Sequence, residues 1–275
     1  MAQVAALSSR FLANLREHGP LWTAVVSGRY VRKYGSAHAR HQYLRRRAQL
    51  LHRWRPLSYS DVDPFVHRKI DPSTIEWIQR PVSHPRIELD SSDRFDMYEN
   101  MGRVVPGSWD RAVDRWEDLS FYRGFREHFL DEVPWEETRF YRQLIDPHQE
   151  LNARWQHSRW IRQKTDEELL AELREFDELY RAIRDEGYRS TSTLDELTVN
   201  IGRDGTLIHN NSGSHRLCMA KLLDLDEIPA RILIRHRDWQ AIRNDANRRG
   251  GIPHHLETHP DLLDVRGGRT GCDVV

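Results

Sequence analysis

The chain has 275 residues, of which 31% are charged and 38% hydrophobic, with 42 basic and 42 acidic side chains. The hydrophobic share is enough for a packed core, and no run of about eighteen apolar residues predicts a membrane-spanning helix. The N-terminus also lacks the charged-then-apolar order of a signal peptide. The two cysteines, Cys218 and Cys272, lie far apart in the sequence. Their separation favours a reducing, cytoplasmic location without a disulfide framework.

The zero net charge conceals a basic N-terminal segment, residues 1–55, which has eleven arginines and lysines and a single acidic residue, Glu17. Tyr43, Arg47, Leu50 and Trp54 recur at helical spacing in it and predict a basic amphipathic helical arm. Three interpretations of the arm stay open. In the first, the arm lies on an anionic membrane surface at the inner face of the membrane. In the second, it binds the phosphate backbone of a nucleic acid. In the third, it packs on the acidic remainder of this chain or on another copy of the chain.

A proline-punctuated stretch opens the main domain, which we predict over residues 56–250. The prolines between residues 56 and 85 indicate extended and turn structure, so the first strand of the domain is expected there. Asp71, in the sequence Ile70-Asp71-Pro72, is one candidate for a catalytic carboxylate. Asp90, Asp93 and Asp96 are spaced by three, which fits a solvated turn or helix face better than a metal site. No metal site is predicted.

An aromatic, helical insertion is predicted over about residues 106–187. Phe121, Phe125 and Phe129 at spacings of four indicate an amphipathic helix with a core face. Thr165 and Glu168 form a capping-box pattern ahead of a second helix that ends at Gly187. The turn at residues 107–110 is a weaker candidate for the border of a ligand site.

The most informative segment is residues 198–236. An alternating stretch, a turn at Asp204-Gly205 and a second short stretch predict a strand pair. A polar loop, residues 210–214, opens into a helix expected to start near His215, and a β-branched run from Ile228 to Ile234 predicts a further strand. The domain is therefore expected to be α+β, with a small mixed sheet.

The loop and helix start carry chemistry suited to phosphate. The first N–H groups of a helix and its positive dipole end favour anions, and Gly213 lets the backbone approach a ligand closely. Arg216 adds an always-charged, planar fork in the first turn. The candidate phosphate-binding or cofactor-binding residues are Asn211, Gly213, Ser214, His215 and Arg216.

Each of these residues also has a purely structural interpretation. Ser214 is a preferred N-cap residue, and Asn210 and Asn211 are ordinary turn formers. His215 either positions a phosphate or closes the loop by bonding a carbonyl, and Arg216 either contacts phosphate or pairs with a carboxylate of the fold. Cys218 is expected to be a buried, inert thiol.

The order hairpin, Gly213-Ser214-His215-Arg216, helix and strand resembles the ParB N-terminal/sulfiredoxin-like superfamily over about residues 194–243. The resemblance implies a ParB/sulfiredoxin-like sheet with helical additions, and phosphates of a nucleotide such as ATP or CTP held at residues 213–216. Ser214 stands where sulfiredoxin-like members carry a cysteine, so sulfinic acid reduction is not expected. Too few residues follow the match for the DNA-binding region of the partition proteins.

Two functions from different classes remain open. The first is a nucleotide-dependent phosphotransferase, in which Mg²⁺ bridges phosphates and His215 acts with a carboxylate, Asp71 or Asp204. The second is a non-catalytic, nucleotide-responsive adaptor whose basic arm docks on a membrane surface or nucleic acid. Residues 251–275 form a tail with His254, His255 and His259, where interrupting prolines disfavour a zinc site.

Overall fold

The computed structural model describes residues 37–80, 99–145, 165–190, 196–210, 212–249 and 251–266. Several predictions made above concern residues outside these ranges. They are the first part of the basic arm, the three aspartates between residues 90 and 96, Asn211, Cys272 and the end of the tail.

Seven α-helices occur in the described part of the chain, numbered in order along it. They are α1 (Ala37–Trp54), α2 (Ser120–Phe129), α3 (Arg139–Ile145), α4 (Asp166–Glu186), α5 (Ser214–Leu222), α6 (Arg237–Arg249) and α7 (Leu263–Arg266). None of them combines the length and the apolar character needed to cross a bilayer.

The described strands form one mixed sheet, as expected for an α+β protein. They are β1 (His67–Ile70), β2 (Trp77–Gln79), β3 (Arg103–Val105), β4 (Val113–Arg115), β5 (Thr198–Ile201), β6 (Leu207–His209) and β7 (Ile228–His236). The order across the sheet is β1-β7-β5-β6-β2-β4, and β3 pairs with the far part of β7. Strands β5 and β7 are parallel, whereas β1 runs antiparallel to β7.

The predicted hairpin, loop, helix and strand are all present as β5, β6, α5 and β7. The hairpin turns through Gly205, which has a φ of 95°. A Cβ at this position would lie 2.7 Å from Trp239 Cζ3 of α6. Glycine is therefore required both by the backbone conformation and by the close approach of the α6 tryptophan.

One face of the sheet carries the larger core, which the middle helices cover. The α2 phenylalanines behave as predicted, and Phe121 and Phe125 are fully buried. Both hydrogen bonds of the capping box at the start of α4 are present: the side chain of Thr165 accepts from the backbone of Glu168, and the side chain of Glu168 accepts from the backbone of Thr165. Because α2, α4 and α5 pack together on this face, the aromatic insertion shields the helix start from one side.

The other face has a smaller apolar cluster, which includes Met101, Trp109 and Leu233. Helix α1 packs on the chain near β3 through Leu44 and Ala48, both of which are buried. The described part of the predicted basic arm is thus a helix attached to the domain.

One predicted helix start is corrected by the structure. Helix α5 has Gly213, not Ser214, as its N-cap residue, because the glycine takes the left-handed conformation that ends the loop. Before α3, residues Trp135–Glu137 form a 3₁₀ turn, and α3 begins at Arg139.

Candidate functional site

The loop between β6 and α5 lies across the first residues of β5. Asn210 N donates to Thr198 O at 3.1 Å, and Thr198 N donates to Ser212 O at 3.4 Å. Gly213 has a φ of 82°, and a Cβ there would stand 2.9 Å from Leu197 Cα. No other residue allows the start of α5 to approach the strand this closely.

A buried carboxylate, Glu196, lies directly beside this contact. The side chain is fully buried and accepts a hydrogen bond from Arg216 Nη1 at 3.2 Å. Ser190 Oγ donates to its other oxygen at 2.7 Å. Arg216 therefore makes the carboxylate pair that its structural interpretation predicted, and this pair ties the first turn of α5 to the start of β5.

A second arginine approaches the same carboxylate from β7. Arg231 is 3% exposed. It donates from its backbone N to Leu197 O at 2.8 Å and from Nε to His67 Nε2 at 3.0 Å. The His67 ring is 3.9 Å from Glu196. We call Glu196, Arg216, Arg231, His67 and Tyr188 the Glu196 cluster.

Burial sets the protonation of the His67 and Tyr188 side chains of the Glu196 cluster. Burial, together with Arg231, lowers the pKa of His67, so this ring is neutral near pH 7. Burial also raises the pKa of Tyr188 to about 12, and the Arg216 guanidinium lies 5.7 Å from the centre of its ring. The cluster therefore contains two guanidinium groups and one carboxylate.

A row of polar side chains crosses the sheet at the same level. The register places neighbours side by side on β2, β6, β5, β7 and β1, about 4.8 Å apart from strand to strand. The row consists of Gln79, Asn210, Thr198, Arg231 and His67. It lies on the face opposite the large core, so the Glu196 cluster continues into a polar stripe.

Two buried oxygens next to this stripe, Thr198 Oγ1 and Asn200 Oδ1, have no hydrogen-bond partner among the residues that the structure describes. The Asn200 amide nitrogen donates to Asn210 Oδ1 at 3.1 Å. Buried polar atoms are normally satisfied, so these two oxygens indicate capacity for a further donor.

His215 lies among aromatic rings and not with the charged groups. Its ring centre is 4.4 Å from that of Phe176, 5.3 Å from that of Phe121 and 6.1 Å from that of Phe125. Burial lowers its pKa to about 4, and Arg216 contributes to the shift. The imidazole is therefore neutral near pH 7 and packs in the helical layer.

The two candidate carboxylates lie away from the helix start. Asp71 accepts a hydrogen bond from Ser73 N at 2.8 Å, which caps the turn Pro72–Thr74. Lys221, at the far end of α5, bonds Pro72 O at 2.8 Å. The nine residues of α5 place this turn roughly 13 Å from Gly213.

Asp204 occupies the hairpin turn, where it accepts from Thr206 N at 3.0 Å and from Thr206 Oγ1 at 2.7 Å. The four residues of β5 separate this turn from the loop by roughly 13 Å. The structure thus does not bring His215, Asp71 and Asp204 into one catalytic arrangement.

The remaining candidate positions have structural roles. Asp110, in the predicted border turn, binds Arg203 at 2.7 Å next to the hairpin turn. Cys218 is buried, as predicted, and burial raises the pKa of its thiol. His259 Nε2 donates to Gly205 O at 2.9 Å. Among the residues described, no group of three metal-ligating side chains comes together.

Sequence reasoning missed the central members of the site, Glu196, Arg231 and His67. One signal was available, because Arg231 interrupts the β-branched run of β7, and a charged residue in a buried strand is rare unless paired. Nothing comparable marked His67, which meets Arg231 only through the pairing of β1 with β7.

No protein-family model, curated protein or solved structure matches this chain. The fold and the site define a class only, an α+β protein with a mixed sheet and a buried, arginine-rich cluster at a helix start. The resemblance to the ParB N-terminal/sulfiredoxin-like superfamily stays a prediction.

Proposed function

We propose that this protein binds a phosphate group, carried by a nucleotide such as ATP or CTP or by another phosphorylated small molecule, at residues 213–216. The observation that supports it is the Glu196 cluster, where Arg216 and Arg231 approach one buried carboxylate below the start of α5. The proposal also includes a sheet of the ParB/sulfiredoxin-like type, because the hairpin, loop, helix and strand follow one another in the order that the resemblance implies.

Three features of the site suit an oxyanion. Gly213 has no side chain and so offers no capping oxygen to the first turn of α5, whose N–H groups point toward the loop. Arg216 lies in that turn and carries a guanidinium fork that matches two phosphate oxygens. The second guanidinium, on Arg231, adds positive charge in a buried place where electrostatic interactions are strong.

Phosphoryl transfer receives less support than binding. Glu196, the carboxylate nearest the helix start, accepts hydrogen bonds from Arg216, Ser190 and the backbone N of Leu197. Both oxygens of this carboxylate are therefore already engaged by donors of the fold. Because Asp71 and Asp204 lie elsewhere, the proposal is for binding, and Mg²⁺-dependent turnover is an additional outcome to be measured.

The test is a thermal-shift series with inorganic phosphate, ATP and CTP, each with and without Mg²⁺. A ligand at about a hundred times its dissociation constant stabilises the folded state by roughly 2.7 kcal/mol. In Arg216→Gln this ligand-induced stabilisation should disappear, because the fork in the first turn is gone. Release of labelled phosphate to a small acceptor in the same mixtures would indicate transfer.

Arg203→Gln is the matched control, because it also removes an arginine paired with a carboxylate, at 2.7 Å from Asp110. The double variant Glu196→Gln/Arg216→Gln removes the buried pair together and so avoids an isolated buried charge. Equal ligand-induced stabilisation in wild type, Arg203→Gln and both site variants would disprove the proposed site.

A further inference from the structure

The arginines of α1 and of the residues after it fall into two groups. Arg45 pairs with Asp63, and Arg47 Nη2 lies 3.0 Å from Glu99 Oε2, so these two attach the helix to the domain. The second group consists of Arg46, Arg53 and Arg55. These three side chains are exposed and form no ion pair with any residue that the structure describes.

The second group surrounds the most exposed large apolar side chains in the described part of the chain. Leu50 is 54% exposed, Trp54 77% and Leu57 85%. Arg46, Leu50 and Trp54 follow one another at intervals of four, on one stripe of α1. We call these six residues, Arg46, Leu50, Arg53, Trp54, Arg55 and Leu57, the Trp54 surface.

A cavity of about 480 Å³ borders the Trp54 surface, between α1 and the loop at residues 60–64. Arg46, Arg53, His52 and Ser60 line it, together with one acidic residue, Asp61. The two guanidinium groups in its lining suit a phosphate-bearing headgroup next to an apolar patch.

We propose that the Trp54 surface docks on an anionic lipid bilayer, with Trp54, Leu50 and Leu57 at the level of the acyl chains and the three arginines at the phosphates. Tryptophan and leucine insert at a membrane interface, while arginine extends its charge toward the headgroups. Leu44 and Ala48 are buried against the domain, so α1 presents the surface from a fixed position.

The combination of groups favours a bilayer over the other partners of a basic surface. A nucleic acid backbone recruits the arginines but leaves two exposed leucines without a role. An exposed apolar patch of this kind marks an interaction site in general, and the three exposed arginines with it specify an anionic partner. This inference is independent of the phosphate site at α5.

The experiment is co-sedimentation of the full chain with vesicles of phosphatidylcholine alone and with vesicles of equal parts phosphatidylcholine and phosphatidylglycerol. We expect binding to the anionic vesicles only. Each arginine near an anionic surface contributes about a factor of five, so Arg46→Gln/Arg53→Gln/Arg55→Gln should weaken binding about 100-fold. Trp54→Ala/Leu57→Ala should weaken it at least about tenfold at unchanged charge.

The control for charge is Arg111→Gln/Arg126→Gln/Arg181→Gln, which removes three exposed arginines elsewhere and should leave binding unchanged. The control for exposed apolar residues is Leu130→Ala/Leu263→Ala. Circular dichroism of every variant establishes that the fold is retained.

Three results would overturn the proposal. They are equal binding to both kinds of vesicle, binding that survives both sets of substitutions at the Trp54 surface, and binding to duplex DNA in place of vesicles. Loss of self-association in Trp54→Ala/Leu57→Ala without any vesicle binding would also overturn it, because the surface would then join two copies of this chain.

Discussion

Two buried charge clusters, around Arg235 and around Arg231 of β7, differ in how their guanidinium groups are neutralised. At the far end, Asp261 is fully buried and accepts from Arg235 Nε at 2.8 Å, and Arg243 binds both oxygens of Asp264, at 2.9 and 2.7 Å. Arg68 also bonds Asp264, so all three guanidinium groups of this Asp261 cluster contact a carboxylate oxygen directly.

At the near end, the Glu196 cluster has one carboxylate for two guanidinium groups, and Arg231 donates to the neutral ring of His67. Breaking a buried ion pair is costly, and direct pairing as in the Asp261 cluster identifies a structural element that holds α6 and α7 on the sheet. In the proposed function, a bound anion would lie beside Arg216 and Arg231 of the Glu196 cluster. Clusters of similar composition are therefore assigned different roles, a structural one at Asp261 and the proposed binding role at Glu196.

The largest expected loss of stability follows from the substitution of Asp261. Asp261→Asn leaves two buried guanidinium groups beside a neutral amide and should lower the free energy of unfolding by about 3–5 kcal/mol. Urea denaturation at pH 7 measures it. Asp118→Asn removes an exposed partner of Arg123, 2.8 Å away, and should cost under about 1 kcal/mol. Equal losses in the two variants would contradict the structural role of Asp261.

A smaller loss of stability is expected on substituting Glu196, and its response to phosphate should differ most clearly from that of the Asp261 variant. Glu196→Gln should lower the free energy of unfolding by about 2 kcal/mol, since hydrogen bonds to a charged group are lost. Inorganic phosphate should recover part of this loss, because an anion near Arg216 and Arg231 replaces the missing charge. Urea denaturation with and without phosphate measures the recovery, and Asp261→Asn should show none. Recovery in both variants would indicate non-specific salt stabilisation.

An effect of about the same size, but seen only at low pH, is expected at His215, on the aromatic side of the same helix start. Its pKa is lowered to about 4 in the folded state from an ordinary 6.5, so the unfolded chain takes up the proton first as pH falls. Stability is therefore lost between about pH 6.5 and pH 4. His215→Phe should remove about 2 kcal/mol of that loss.

Urea denaturation at pH 7 and at pH 4.5 measures this difference. His67 and His259 also have lowered pKa values, so the wild type will keep part of its pH dependence in the variant. His254→Phe, at an exposed position, is the control and should behave as the wild type. An unchanged pH dependence in His215→Phe would show that the ring is not buried in the folded protein.

The local elements of the site were predictable because each follows from a short pattern. The alternating stretches predicted the β5–β6 hairpin, and the β-branched run predicted β7. The capping-box pattern of Thr165 and Glu168 predicted the start of α4. The start of α5 was predicted one residue late, because Gly213 takes the capping position through its left-handed conformation. Serine at position 214 is equally compatible with either boundary.

The identity of the charged groups at the site was not predictable in the same way. Asp71 and Asp204 have the residue type expected of a catalytic carboxylate, yet each satisfies its own turn. Glu196 was overlooked because a single acidic residue before a strand has no distinguishing pattern. Its role depends on Arg216 and on His67, which is more than a hundred residues away in the sequence.

By itself, the amino-acid sequence determined where the helices and strands form, that Gly213 would permit a close approach, and that basic residues concentrate near the N-terminus. These properties depend on backbone conformation and side-chain periodicity within a few residues of each position. The tertiary structure alone decided which charges meet. The antiparallel pairing of β1 with β7 sets His67 beside Arg231, and packing of the α5 start on β5 sets Arg216 on Glu196. Such contacts depend on strand register and helix packing over long separations, which local propensity does not specify.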